Sequence, residues 1–386
     1  MPEFLAVLET IRAEEASVTR LFNGEGRGVR SHRQTPEYAV KLSEAAQLVA
    51  DVMRGRRRAH VLLEAMSTSD FPQLFGDILD RQVLAAYQET PRTWQNYCKR
   101  STVRDFRTVK RFRVDGGEGV LDAVAEGAAY PESSVSDDEY TWSVAKYGRR
   151  MPFTWESMIN DDLQALKDIP ERLGRAARRS EEKFATQLFV DANGPHASLY
   201  TAGNGNIVTG NPALSVAGLQ TAFTVLAAMR DSDGEPILID AVELVVPPAL
   251  QVVAQNILNA TEVWLTTNGG ATGQEMHTTN WMRSKVRLSV NPYIPIVASA
   301  ADGDTSWYLF ANPNNGRPAL EMGFLRGHEE PEIFMKTSNA QRVGGGAVDP
   351  MDGDFETDAI DYKVRHVFGG GRIDPKMTVA SEGDGS

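Results

Sequence analysis

Histidine, cysteine, serine and acidic residues could do chemistry in this chain, but their spacing builds no catalytic motif. The sequence contains neither a Gly-x-Ser-x-Gly elbow nor a phosphate-binding Gly-x-x-x-x-Gly-Lys loop. The six histidines are scattered, and none stands at the close spacing of a zinc motif. Cys98 is the only cysteine, which excludes an internal disulfide and is typical of a reducing cytoplasm. We therefore predict no catalytic residue, no cofactor and no metal ligand.

Two further segments resemble binding loops only in composition. Gly24, Gly26 and Gly28 lack the preceding strand that a dinucleotide site requires, so they are interpreted as a loop. The acidic run from Asp349 to Asp358 lacks the ligand spacing and the bidentate Glu of a calcium loop. It is interpreted as solvated surface.

Charge and hydropathy narrow the class of protein. The chain has 386 residues, with 40 Lys and Arg against 52 Asp and Glu, for a formal net charge of −12. A protein that neutralises the phosphates of nucleic acid needs a surplus of basic residues. The chain as a whole is therefore expected to repel nucleic acid, although its net charge does not exclude a local basic patch. Residues 1–16 lack the basic start and apolar core of a signal peptide. No apolar run approaches the roughly 20 residues of a membrane span, so no membrane partner is predicted.

The most unusual feature of the sequence is a pair of oppositely charged neighbouring segments. Residues 99–113 carry seven basic side chains and one acid, whereas residues 115–139 carry eight acids and no base. Val and Phe alternate with the bases, and an alternating strand follows at residues 140–144, so we predict a long two-stranded hairpin that projects from the body. An isolated hairpin is marginal in water, so this one must rest on something else.

We predict that these charges contact neighbouring copies of the chain, because a lone molecule cannot satisfy them. A mobile acidic loop is an equally good interpretation of the composition alone. The predicted contact residues are Lys99, Arg100, Arg104, Arg107, Lys110, Arg111, Arg113, Asp122, Glu126, Glu132, Asp137, Asp138 and Glu139.

The pattern of apolar residues in the remaining chain predicts alternating helices and strands. Residues 1–66 form a charged helical leader, in which one helical stripe consists of Leu42, Ala45, Val49, Val52 and Met53. Its Arg54–Arg58 cluster is either a processing or interaction signal or a solvated helix face. A helix that a Ser or Asp within residues 66–72 can cap runs towards Tyr87. Further helices are predicted at 170–191, 215–229 and 249–259, and strands at 244–246, 286–290, 294–298, 307–310, 331–336 and 359–367.

Several segments, in order along the chain, resemble the major capsid proteins of tailed bacteriophages, particularly the Mu-like major head subunit. Each segment alone is a weak signal, whereas their common order over residues 67–368 is stronger. The segments are Ser69–Phe75 with Ala85–Tyr87 and Trp94, then Glu126–Tyr130, Lys146–Arg150, Phe153–Asp162, Leu244–Leu250, Trp307–Phe310 and Leu325–Pro331.

The resemblance implies an α+β tailed-phage major capsid fold with six segments. These are a scaffolding-like leader (1–66), an N-terminal arm (67–112), an extended loop hairpin (113–153), a peripheral domain with a spine helix (154–209), an axial domain (210–318) and the return strands with the C-terminal tail (319–386). It also implies hexamers and pentamers of the chain in an icosahedral head, which encloses double-stranded DNA without specific binding. Portal, scaffold and decoration proteins are expected partners. The protein would be assembled in the host cytoplasm and end in the virion.

Some family members join a loop Lys to an Asn of a neighbour, but residues 115–139 contain no Lys, so that chemistry is not carried over. Two alternatives stay open. One is an encapsulin-type compartment with the same fold, which encloses a protein cargo. The other is an unrecognised α/β enzyme, which would need a pocket with convergent polar groups.

Overall fold

The computed structural model describes most of the chain from residue 36 onward. The described residues are 36–53, 56–57, 61, 71–89, 91–115, 124, 136–154, 163–231, 234–237, 239, 242–266, 275–314, 316–336, 338–339, 343 and 354–385. The predicted leader up to residue 35, the Gly24–Gly28 loop and most of the acidic segment lie outside them.

The described elements mix helices and strands. The helices are α1 (Pro36–Met53), α2 (Phe71–Glu89), α3 (Leu163–Gln187), α4 (Val216–Ala227), α5 (Gln251–Asn259), α6 (Met282–Lys285) and α7 (Ile294–Val297). The strands are β1 (Cys98–Val103), β2 (Val109–Asp115), β3 (Ser136–Trp142), β4 (Val144–Thr154), β5 (Val190–Asp191), β6 (Gly194–Pro195), β7 (Val242–Val246), β8 (Glu262–Thr266), β9 (Glu275–Thr279), β10 (Val286–Val290), β11 (Trp307–Ala311), β12 (Leu320–Leu325), β13 (Glu332–Met335), β14 (Ala359–Arg372) and β15 (Thr378–Ser381).

The chain divides into two compact units. The first comprises Met1–Pro91, Lys146–Arg179 and His328–Val367, and the second comprises Arg92–Ala145, Ser180–Gly327 and Phe368–Ser386. Helix α3 and strand β14 each contribute residues to both units.

In the first unit, α2 packs against α1 and against β13. The apolar stripe predicted from the 3.6-residue period is buried in α1, with Leu42, Ala45, Val49 and Val52 all less than 5% exposed. The predicted helix towards Tyr87 is confirmed as α2. Helix α3 approaches α2 closely, because a Cβ at Gly174 would stand 3.2 Å from Cβ of Ala86.

The start of α3 differs from the prediction. Pro170 was expected in the first turn, whereas the helix begins at Leu163 and Pro170 lies inside it. The residues before the proline include Leu, Gln, Ala and Lys, which are all strong helix formers, and their preference outweighs the missing N–H of one proline. The helix also ends at Gln187 and not near Asp191.

The first unit contains part of a mixed sheet. Strand β13 pairs antiparallel with residues 362–365 of β14, and β4 also pairs with β14. Arg150 on β4 donates to both carboxylate oxygens of the buried Asp361, with 2.7 Å between Nε and Oδ1. This charged bond raises the pKa of the Arg150 guanidinium.

The second unit is built around a four-stranded sheet in the order β10-β7-β11-β15. Alternate residues enter separate cores on its two faces, as the two-residue period of a strand requires. Val245, Tyr308 and Phe310 belong to one core, whereas Leu244 and Leu309 belong to the other. The predicted buried strand at 244–246 and the strands at 286–290 and 307–310 are confirmed.

The segments that connect the strands of this sheet include one helix that was predicted correctly and one that was predicted as a strand. Ser215 caps α4 as its position indicates, because its Oγ accepts from the Gly218 N–H at 3.1 Å. The predicted strand at 294–298 is wrong, since these residues form the short helix α7. Pro295 suits a first helical turn because it has no N–H to leave unbonded there.

The second unit also holds β1, which pairs parallel with β12, and β12 pairs antiparallel with residues 368–372 of β14. The latter residues are Phe368, three consecutive glycines and Arg372. These two pairings form the surface on which the candidate site is built.

Candidate functional site

The charged segments meet in a two-stranded sheet, here called the charged hairpin, formed by β2 and β3. The strands pair antiparallel from Val109 opposite Trp142 to Asp115 opposite Ser136. No other strand in the described part of the chain joins this pair. The predicted two-stranded hairpin is therefore present.

The two faces of the charged hairpin have different surroundings. Residues directly opposite each other share a face, and the face changes at every residue. The inner face is buried or half-buried and consists of Val109, Arg111, Tyr140 and Trp142. The outer face is exposed and consists of Lys110, Phe112, Glu139 and Thr141. Phe112 keeps 63% of its surface in solvent, which is unusual for a phenylalanine.

Trp142 fixes the base of the hairpin on a surface made of glycines. Its indole lies against Gly323 of β12, where an added Cβ would overlap the ring, and against Gly371 of β14. A Cβ at Gly371 would stand 2.9 Å from Cβ of Trp142. A Cβ at Gly369 would stand 2.7 Å from Cα of Val144. Only glycines leave room for this approach, so their function here is space and not backbone conformation.

Arg111 makes the second contact of the inner face. Its Nη2 lies 2.8 Å and its Nε 3.2 Å from Oε1 of Glu321, in a forked charged hydrogen bond. The Glu321 side chain is only 4% exposed, whereas that of Arg111 is 43% exposed. Glu321 and Gly323 lie two residues apart on β12 and share a face, so the ion pair and the glycine surface are parts of one anchor.

On the outer face, Nζ of Lys110 lies 2.8 Å from Oε1 of Glu139, and both side chains are exposed. The expectation that a lone molecule cannot satisfy the charges is therefore wrong for Lys110, Arg111 and Glu139. Antiparallel pairing places the basic strand beside the acidic one, so that each neutralises part of the other.

The other predicted contact residues are not gathered in one place. Lys99 and Arg100 lie on β1, and the Arg100 guanidinium stands 5.2 Å from the centre of the Phe324 ring. Arg104 and Arg107 lie in the exposed turn between β1 and β2. The backbone positions of three more are on the hairpin strands, namely Arg113, Asp137 and Asp138. Asp122, Glu126 and Glu132 lie outside the described residues.

Sequence reasoning missed Trp142, Glu321 and the glycines as site residues. The run Gly369–Gly371 was the available signal, because glycines inside a strand mark a close approach of another backbone. Its partner at Gly323 could not be recognised from sequence, since only the pairing of β12 with β14 makes the two glycine positions neighbours.

Cys98 and Tyr97, two side chains that could act as nucleophiles when deprotonated, are buried in the core of the second unit. Cys98 is 2% exposed, and burial, together with the nearby Glu182 carboxylate, raises the pKa of its thiol well above the ordinary value. The thiol is therefore protonated at neutral pH and lacks the thiolate that a nucleophile needs. Burial likewise raises the pKa of the adjacent Tyr97 phenol.

Among the described residues, no group of three or more His, Cys, Asp or Glu side chains is placed to hold a metal ion. None of the helices described is both long and apolar enough to cross a membrane. The hairpin is thus anchored through its inner face and leaves its outer face exposed.

The comparison with known families identifies the class of protein. The phage capsid protein family matches residues 138–381, which include all of β3 but its first two residues, the glycine surface and the whole four-stranded sheet. The chain belongs to this family, and it is a structural protein of the virion capsid. The predicted tailed-phage major capsid protein and its α+β fold are confirmed, whereas the finer resemblance to the Mu-like head subunit stays a prediction.

Solved structures with similar folds include three that differ widely in source. Mycobacterium phage Bobi is 13% identical, with a TM-score of 0.43, over 75% of this chain and 90% of that chain. The capsid of cyanophage P-SCSP1u is 11% identical, with a TM-score of 0.44, over 73% and 85%. A virus-like particle from Pyrococcus furiosus is 9% identical, with a TM-score of 0.42, over 80% and 99%. No curated protein matches the sequence. All three TM-scores lie below 0.5, so the family assignment depends on the match over residues 138–381.

Proposed function

We propose that this major capsid subunit self-assembles into hexamers and pentamers that close into an icosahedral head around double-stranded phage DNA. The observation that carries the proposal is membership of the phage capsid protein family over residues 138–381. Assembly of the head takes place in the host cytoplasm in this proposal, and portal, scaffold and decoration proteins are further partners.

The charged hairpin supports the step from capsid protein to self-assembling subunit. A two-stranded sheet is marginal in water, and the anchor at Trp142 and Arg111 covers only its inner face. The outer face carries Phe112, the type of large aromatic residue that contributes strongly to protein interfaces when it is buried. A neighbouring copy of the chain would cover this face.

The predicted contact residues on the hairpin stay part of the proposal as a polar rim around Phe112. Exposed pairs such as Lys110 with Glu139 contribute only about 0–1 kcal/mol each. They would therefore set the register between copies, while burial of the aromatic ring supplies most of the free energy. Lys99 and Arg100 remain candidate contacts on β1, whereas Arg104 and Arg107 lie away from Phe112, in the turn that follows β1.

Electron microscopy of the purified full-length chain, combined with its mass in solution, tests the proposal. We expect uniform icosahedral particles or rings of five and six subunits. A chain that remains a monomer at high concentration would contradict it. Nuclease-protected DNA inside particles from infected cells distinguishes a phage head from a compartment that holds a protein cargo.

A substitution on the outer face makes the test specific. Phe112→Ser should lower the yield of particles and leave the unfolding of the subunit unchanged, because the ring is already exposed in the lone molecule. Phe355→Ser is the matched control, since Phe355 is 77% exposed and lies outside the hairpin. Equal particle yields from both variants would remove the hairpin from the proposed interface.

A further inference from the structure

A group of arginines lies at one end of the β1–β12 pair. The two strands run parallel, with Val103 opposite Leu325 as the last pair in register. The next residue after each of them is an arginine, Arg104 after β1 and Arg326 after β12. The Arg326 N–H donates to the Val103 carbonyl at 2.8 Å, which holds the two turns side by side.

Arg107 adds a third guanidinium within the turn that follows β1. All three arginines are exposed, and Phe106 between the first two keeps 52% of its surface in solvent. The side chains of Arg104 and Arg326 have no hydrogen-bonding or ionic partner among the residues the structure describes. Arg107 has only a loose pairing, with Nε 3.9 Å from Oδ2 of Asp105 and both side chains largely exposed.

This local charge is opposite to that of the protein as a whole. Three arginines and one aspartate give a surplus of two positive charges in a chain whose formal net charge is −12. The arginines are also not needed for the fold, unlike Arg111 and Arg150, whose guanidiniums are bonded to buried carboxylates. The cluster therefore resembles a site for an anionic partner.

We propose that Arg104, Arg107 and Arg326 form a binding site for the phosphates of double-stranded DNA, at the end of the β1–β12 pair. This inference rests on the proposed function, which makes DNA the content of the head. The planar guanidinium forms two parallel hydrogen bonds to a phosphate, and the exposed ring of Phe106 offers an apolar contact to the sugars beside it.

A site of only three arginines suits a protein shell that must both take up and release its DNA. Each neutralised phosphate of duplex DNA releases bound counterions and contributes about −0.9 to the slope of log affinity against log salt concentration. Three arginines give a slope near −3, which is weak and independent of DNA sequence. DNA would thus be held loosely at the wall and could still enter and leave.

The test measures binding of a labelled double-stranded DNA oligonucleotide to the full-length chain over a series of salt concentrations. We expect Arg104→Ala/Arg326→Ala to weaken binding on the order of tenfold at low salt and to reduce the salt slope by about 2. Arg104→Lys/Arg326→Lys should keep most of the slope, because it keeps both charges.

The control variant is Arg283→Ala/Lys285→Ala, which removes the same two charges from exposed positions of the second unit. Equal loss of binding in this control would overturn the proposal. It would also be overturned if the arginine variants bound DNA as well as the original chain, or if the original chain bound no DNA.

Particle formation is measured in parallel. If only the arginine variants fail to assemble, the arginines join copies of the chain and the DNA site is overturned, while the proposed function stands. If no variant and not even the original chain assembles, the proposed function fails, and the DNA measurements still decide the site.

Discussion

The indole of Trp142 occupies the space that a side chain at Gly323 would need. Trp142 ends the second strand of the charged hairpin, and Gly323 lies in the middle of β12. The neighbouring strand contributes Gly371 to the same surface, where an added Cβ would stand 3.0 Å from Cδ1 of Trp142. The base of the hairpin is therefore held on β12 and β14 by one aromatic ring that packs on their glycines.

Gly323→Ala should destabilise the second unit by about 1–3 kcal/mol, because the new methyl group overlaps the indole and forces it to move. Guanidinium unfolding followed by tryptophan fluorescence measures the change. Gly203→Ala is the control, since a Cβ there meets only Oγ1 of Thr201 at 3.8 Å. The same loss in both variants would show that Trp142 does not depend on the glycine.

Arg111→Ala should cost more than an ordinary surface charge, because it leaves the carboxylate of Glu321 buried without its guanidinium. We expect a loss of about 1–3 kcal/mol, at the lower end because Arg111 itself is half exposed. A double-mutant cycle with Glu321→Gln, measured by chemical unfolding, gives the coupling energy. Lys110→Ala, which breaks the exposed pair with Glu139, should change stability by less than about 1 kcal/mol. A cycle without coupling would contradict the anchor.

Glu182 should make the stability of the second unit depend on pH. Burial raises the pKa of its carboxyl group, even though the N–H and Oγ1 of Thr93 donate to it at 2.8 and 2.6 Å. The folded state therefore binds the proton more tightly than the unfolded chain does. As pH rises from the ordinary Glu pKa of about 4.3 through the raised pKa of the folded state, this carboxyl group lowers the free energy of unfolding.

Glu182→Gln removes this titration and keeps an oxygen that can accept from Thr93. The original chain should lose stability relative to the variant as pH rises through that window, and the difference should then stay constant. Chemical unfolding at a series of pH values measures it. A difference between the two proteins that does not change with pH would contradict the raised pKa.

Local patterns were sufficient to predict the elements whose cause is local. The capping side chain of Ser215, the buried strand ending at Val246 and the stripe of α1 are visible as residue types at fixed spacings. The opposite charges of β2 and β3 also indicated a hairpin. The start of α3 and the nature of Ile294–Val297 were missed because each depended on how strongly one proline acts in its context.

The residues that anchor the hairpin could not be predicted from a local sequence pattern. Glu321 and Gly323 become its base only because β12 pairs with β14, and 45 positions separate Gly323 from its partner Gly369. The expectation that a lone molecule cannot satisfy the charges of Lys110, Arg111 and Glu139 was wrong for a similar reason, since a charge count does not show which strands pair and so which partners these side chains meet.

Arg178 in α3 provides a test of the first unit. Its side chain is fully buried, donates from Nε and Nη2 to the Tyr87 carbonyl at 3.1 and 3.0 Å, and lies 3.6 Å from the centre of the Tyr87 ring. Arg178→Lys should lower the free energy of unfolding by about 1.5–3 kcal/mol, because an ammonium cannot both make the forked bond and stack on the ring. Arg179→Lys, at the exposed neighbouring position, should change it by less than about 0.5 kcal/mol in the same thermal or chemical unfolding experiment. If both variants unfold alike, the link between α3 and the carbonyl of Tyr87 near the end of α2 does not stabilise the first unit.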